Sequence, residues 1–183
     1  MPRKNEIDML HGPLLAKIII FAMPLAASSI LQQLFNSVDV AVVGRFDSSY
    51  ALAAVGSNGP VISLLINLFL GISMGANVVI SNHIGQKDNN LTKYAIRTTA
   101  ATALFSGLAL AVIGVLAARP ILTIMGTPTE VLDMAVRYLR IYFIGTPFLL
   151  IYNFGSAILR SKGDTSRPLY ILVIAGIINT VLN

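Results

Sequence analysis

The sequence predicts an all-α integral membrane protein of about five transmembrane helices, and three observations carry that reading. Hydrophobic residues make up 55% of the chain and charged residues 11%, with a mean hydropathy of +0.77, far from the roughly 25% charged content of a soluble domain. The charges cluster between long apolar runs. The 183 residues hold about five spans plus short connections, since each span needs roughly 20 apolar residues, and they leave no room for a separate soluble domain. The net charge of +5 resides largely in the connections, as the positive-inside rule expects. No nucleic-acid partner is therefore expected. The absence of cysteine excludes disulfides, thiolate metal sites and cysteine nucleophiles. The N-terminal MPRKNEIDMLHGP carries charges of both signs, and the apolar run after it is too long for a signal-peptide core. It is expected to be retained as the first membrane helix.

Charge-free gaps place the spans. The first gap, residues 18–38, lies between Lys17 and Asp39, and apolar character continues to Val43; the first helix is expected over residues 14–43. Pro24 lies inside it and is expected to kink it, because the ring removes a backbone donor and clashes with the preceding turn. The second gap, residues 48–86, is 39 residues long, too short for two spans with a turn. One long helix over 51–80 follows, with Gly56, Gly59, Gly71 and Gly75 as expected points of close helix approach. The third span is expected over 91–118, capped by Asn89 or Asn90 and closed by Arg119 and Pro120. The fourth runs over 130–159, interrupted by Gly145 and Pro147. The fifth begins after Arg167 and Pro168 at residue 168 and is still apolar at Asn183, so the chain is expected to be a fragment cut within this helix.

Placing the N-terminus in the cytoplasm puts nine basic residues inside against four outside, namely Arg45, Arg119, Arg137 and Arg140. The charge bias favours that orientation in the cell membrane. Helices 1, 3 and 5 then run outward.

One residue stands out against this background. Asp39 is a carboxylate inside an apolar run, and an ionised Asp at a helix centre costs roughly 2.5 to 3.5 kcal/mol on insertion scales, so such acids face cavities and ion or proton traffic. Ser29, Gln32, Asn36 and Asp39 recur at spacings of three, four and three, one narrow helical stripe. Interhelical hydrogen bonding accounts for the first three. Asn would bond as well as Asp39 without the charge, which points to function; the alternative is that Asp39 meets lipid headgroups. At ~1.5 Å per residue Asp39 lies ~33 Å along the helix from Lys17, and Asn179 and Asn183 lie ~18 Å and ~24 Å beyond Arg167, all in the outer half. Tyr138 and Asn153 on the fourth helix are further candidates. Asn153 is only ~10 Å from Arg160 and so is expected deeper than Asn179.

Other patterns carry less. Gly71 and Gly75 form a GxxxG suited to ordinary packing. His11 and His83 fall in or near connections, far apart in sequence, and no metal pair is expected from them. No phosphate-binding loop and no nucleophile with an attendant base occurs, so neither ATP hydrolysis nor an enzyme is expected.

Together these segments resemble the multidrug and toxic compound extrusion (MATE) transporters. The likeness rests on Pro24 followed by LFNSVDVAVVGRF, on SNHIGQKD after the second helix, on LRSKGDTSRPLY between the fourth and fifth, and on the terminal NTVLN. It implies twelve helices in two six-helix lobes, with this chain covering most of the N-terminal lobe. It also implies that Asp39 is the acid that binds the coupling proton or sodium ion and that Pro24 is the proline about which the helix bends. Asn179 and Asn183 would belong to the same network, with Gln32, Asn36, Tyr138 and Asn153 around them. Some relatives carry Asp at the position of Asn183; the amide here leaves one definite acid.

The expected function is ion-coupled antiport, exporting a cationic or amphipathic small molecule. A proton taken by Asp39 would remove its charge and release a nearby cation, whereas sodium would compete directly for the same oxygens. No cofactor is expected beyond the coupling ion. The expected partners are the organic cation or drug, the lipid bilayer and the remaining C-terminal half of the transporter. A lipid-linked saccharide flippase of the same superfamily is the alternative and should show a basic cavity for its phosphates. A non-transporting scaffold or truncation product is the rival from another class. An intramembrane enzyme is weaker, because a lone acid lacks a partner.

Overall fold

The computed structural model describes residues 13–46 and 49–182, with the backbone alone for Phe46 and Leu182. Five helices follow one another: α1 (Leu14–Phe46), α2 (Ser49–Gly85), α3 (Asn89–Ile124), α4 (Thr129–Ser161) and α5 (Ser166–Leu182). The chain is an all-α integral membrane protein. The first four helices are long and apolar enough to cross a bilayer, and α5 is a shorter apolar helix. Large apolar side chains such as Leu64, Phe105, Ile113 and Phe148 stand exposed, as they do when the surrounding solvent is hydrocarbon.

Every helix departs from its expected span at one end or both, because a membrane penalises unpaired backbone more than it penalises a terminal charge. Pro120 does not close α3. It sits inside the helix, where the ring forfeits one backbone bond, and winding continues until the Met125 N–H donates to Ile121 O at 3.0 Å. The cap of α3 is also different from the expected Asn. Asp88 accepts from the Asn90 and Leu91 N–H groups at 3.0 and 2.9 Å, the geometry of an N-cap side chain serving the second and third helical positions. Likewise α4 runs through Gly145 and Pro147 without a break. Pro24 lies within an α1 that stays helical on both sides of it. In α5, Pro168 falls in the first turn, where its missing N–H would have had no helical partner.

Glycine makes two of the connections, those after α3 and α4, while Lys87 takes the left-handed position after α2. Gly126 and Gly163 adopt φ of 75° and 81°, and the following N–H groups of Thr127 and Asp164 reach back to Leu122 O and Leu159 O at 3.1 Å. Both are Schellman closures of the preceding helix. Asp164, 1% exposed, then starts α5: its Oδ1 accepts from Arg167 N at 3.1 Å and its Oδ2 lies 3.0 Å from Arg167 Nε. The conspicuous GDTSRP connection is thus a buried turn joining two helices.

α4 is the packing centre. It lies antiparallel to α3 and parallel to α2, its two most extensive neighbours. Against α3 the approach is close: a Cβ on Gly107 would fall 2.7 Å from Pro147 Cα, and one on Gly114 would overlap the Phe143 ring. Against α2, amides cross the interface: the buried Asn58 Nδ2 donates to Ala135 O at 3.1 Å and the half-buried Asn77 Nδ2 to Ala157 O at 3.0 Å. The glycines expected to mediate packing do not. Gly56, Gly59, Gly71 and Gly75 have open space where a Cβ would go, because the α2 face that meets α4 is the Ala54, Asn58, Ser73 and Ile80 side. α1 packs mainly on α5, less on α2, and α5 touches α4 only lightly. Two groups result, α2–α3–α4 and α1–α5.

Candidate functional site

A cavity of about 520 Å³ lies between these two groups. α1 contributes Ser29, Gln32, Gln33, Phe35, Asn36 and Asp39; α2 contributes Ser63, Ile66, Asn67 and Leu70; α4 contributes Tyr142, Leu149 and Asn153; α5 contributes Leu172, Ala175, Gly176 and Asn179. On each helix these positions fall within one stripe, successive turns lying three, four or seven residues apart, so each helix turns a single face inward. That volume accommodates on the order of ten waters, which makes an ionised side chain tolerable at membrane depth.

The helix directions give the cavity two ends. α2 and α4 run parallel, as Asn58–Ala135 and Asn77–Ala157 show, so Ser63 and Tyr142 share the end that holds Asp39 and Asn179. Leu70, Asn153 and Leu172 lie toward the other, with Ser29. Asp39 is half-buried. Tyr138, one turn before Tyr142, is outside the lining but within electrostatic reach of Asp39. The lining contains one carboxylate and no Lys, Arg or His.

Of the residues singled out from the sequence, Ser29, Gln32, Asn36, Asp39, Asn153 and Asn179 therefore come together at one cavity. Tyr138 approaches its acidic end. Pro24 does not line it, and Asn183 lies outside the described residues. The expected depth mismatch of Asn153 does not separate it from Asn179, because the cavity is a slot: its lining on α4 runs from Tyr142 to Asn153, ~16 Å at normal rise.

Ser63, Asn67, Gln33 and Tyr142 were missed by sequence reasoning. Ser63, Asn67 and Leu70 form a stripe at spacings of four and three, the same signal that marked α1. Without a charge in it, nothing set that stripe apart from ordinary polar glue. Asn67 Nδ2 donates to its own helix at Ser63 O, 2.8 Å away, which leaves the amide oxygen for the cavity. A second cavity, about 440 Å³ between α2, α3 and α4, is lined by apolar residues including Leu64, Leu110 and Phe143. It offers nothing to bind an ion.

Comparison with known proteins agrees with this architecture. A family model described as MatE matches residues 24–183. The probable multidrug resistance protein YoeA of Bacillus subtilis (strain 168) is 36% identical over 163 residues, covering 89% of this chain and 35% of that protein. The probable multidrug resistance protein NorM of Thermotoga maritima is 28% identical over 181 residues, 98% of this chain and 39% of that one. A crystal structure of MATE in complex with MaD3S superposes with a TM-score of 0.89 at 26% identity, covering 100% of this chain and 40% of its own. The chain thus spans 35 to 40% of the length of these three proteins. With five matching helices and a family match over all but its first residues, the chain belongs to the MatE family.

Proposed function

We propose that this chain supplies the N-terminal part of an ion-coupled antiporter that exports cationic or amphipathic small molecules. The observation that carries the reading is the cavity, which gathers one intramembrane carboxylate with neutral amides and excludes every basic side chain. The multidrug resistance names of its relatives support the same class. The N-terminus is cytoplasmic in this scheme, and the Asp39 end of the cavity is the outer one.

Asp39 acts as an exchangeable anion. A monovalent cation about 4 Å from a carboxylate gains roughly 4 kcal/mol at an effective dielectric constant near 20, close to three orders of magnitude in affinity. Protonating Asp39, or occupying its oxygens with sodium, withdraws that attraction and frees the exported cation. The amide oxygens of Asn36 and Asn179 can share a sodium ion; the apolar wall of Leu70, Leu149 and Leu172 receives the hydrophobic body of an amphipath. Alternating access requires the remainder of the transporter, with the site carried between two facings by relative movement of its halves. A lipid-linked saccharide cargo would call for basic residues to meet its phosphates, and the lining has none.

The test is efflux of a fluorescent organic cation from vesicles containing the complete transporter, under separate proton and sodium gradients. Asp39→Asn is expected to abolish gradient-driven export while leaving the protein folded. Unchanged export by that variant under both gradients overturns the proposal.

A further inference from the structure

We propose that Phe35 and Gly176 form a seat that holds α1 and α5 in register across the acidic end of the cavity, making Phe35 a positioning residue for Asp39 and Asn179. The inference rests on the ion-coupling role proposed above.

Three observations converge on this contact. A Cβ placed on Gly176 would fall within the Phe35 ring, so the ring rests directly on the α5 backbone, at a buried glycine. Both residues border the cavity. And among the described helices α1 is the principal neighbour of α5, which touches α4 only lightly, so within this chain the placement of Asn179 rests on what α5 does against α1. The seat lies close to the chemistry along both chains: Asp39 is four residues after Phe35, and Asn179 is three after Gly176. On each helix that is about one turn.

A methyl at position 176 cannot be accommodated in place. Carbon atoms settle about 3.5–4.0 Å apart, so ring and helix must separate by roughly 1 Å or more. Glycine serves the α3–α4 interface in the same way at Gly114 under Phe143, but neither Gly114 nor Phe143 borders the polar cavity. That pair is an internal control. A role in packing alone predicts equal consequences at both seats, whereas a positioning role predicts a difference in ion coupling.

The experiment measures, in the complete transporter reconstituted in vesicles, the concentration of coupling cation giving half-maximal exchange and the maximal rate. Gly176→Ala is expected to raise the half-maximal concentration at least tenfold. Adding Phe35→Leu, which makes room for the methyl, is expected to restore most of that loss, and Gly114→Ala is expected to leave the value unchanged. An unchanged half-maximal concentration in Gly176→Ala, or an equal change in Gly114→Ala, overturns the positioning role. Should Gly176→Ala fail to fold, Phe35→Leu alone reads the seat: a severalfold weaker cation response supports the role, and a wild-type response overturns it. Thermal unfolding of the single and double variants keeps this separate from the proposed function. Non-additive midpoints establish the contact even where Asp39→Asn shows that Asp39 carries no coupling ion, in which case the ion-coupling reading fails and the positioning role with it.

Discussion

Asn153 illustrates how much a single amide can add beside the acid. It is buried, 5% exposed, at the end of the cavity away from Asp39, among leucines rather than charges. Its polar head offers one directed hydrogen bond to a bound molecule, worth about 0.5–1.5 kcal/mol net. Asn153→Leu is therefore expected to raise the half-maximal concentration of exported cation roughly threefold to tenfold while leaving the cation gradient dependence intact. Transport assays that vary drug and coupling ion separately check this. A change in ion dependence instead would place Asn153 in the coupling network. Asp39 was legible in the sequence because a charge in an apolar run is costly wherever the helix packs. Asn67 was not, because an uncharged amide costs little and its direction depends on which face of α2 meets α4.

At the scale of the element, two interactions decide where helices begin and how closely they lie. The Asp88 cap satisfies two N–H groups of α3, and Asp88→Ala is expected to lower stability by about 1 kcal/mol, seen as a reduced unfolding midpoint in detergent. The residue lies in the connection after α2, so exchange kinetics should be unaffected. Gly114 sits under the Phe143 ring at the α3–α4 interface. Adding a methyl there overpacks the core, and Gly114→Ala is expected to destabilise by about 1 to 3 kcal/mol; thermal unfolding with Phe143→Leu as the compensating change tests it. The spans themselves were legible as charge-free gaps. Their ends were not: α3 runs on past Pro120, which is tolerated inside a helix whose neighbours and backbone geometry compensate for the lost bond.

For the molecule as a whole, the division into α1–α5 and α2–α3–α4 sets both the cavity and the expected topology. The chain has no cysteine, so a single introduced thiol reports its sidedness against no other thiol of this chain. With a cytoplasmic N-terminus, Lys162→Cys in the α4–α5 connection should react with a membrane-impermeant maleimide only from the cytoplasmic side, and Thr127→Cys in the α3–α4 connection only from outside. The opposite labelling pattern in intact cells would reverse the orientation and the direction assigned to the cavity. Such a reversal would leave the grouping of the helices untouched, because that grouping follows from packing.

By itself the sequence determined that this protein is a helical membrane protein and that Asp39 is its exceptional residue. Hydropathy and charge act through transfer from water to hydrocarbon, and that free energy belongs to each residue before any partner is chosen. Only the tertiary structure decided which faces meet. It passed over Gly71 and Gly75, used Gly107, Gly114 and Gly176 for close approach, and brought Asn153 and Asn179 to the same slot as Asp39. These outcomes depend on helix direction, rotation and separation, which are fixed by side-chain packing between elements far apart in the chain.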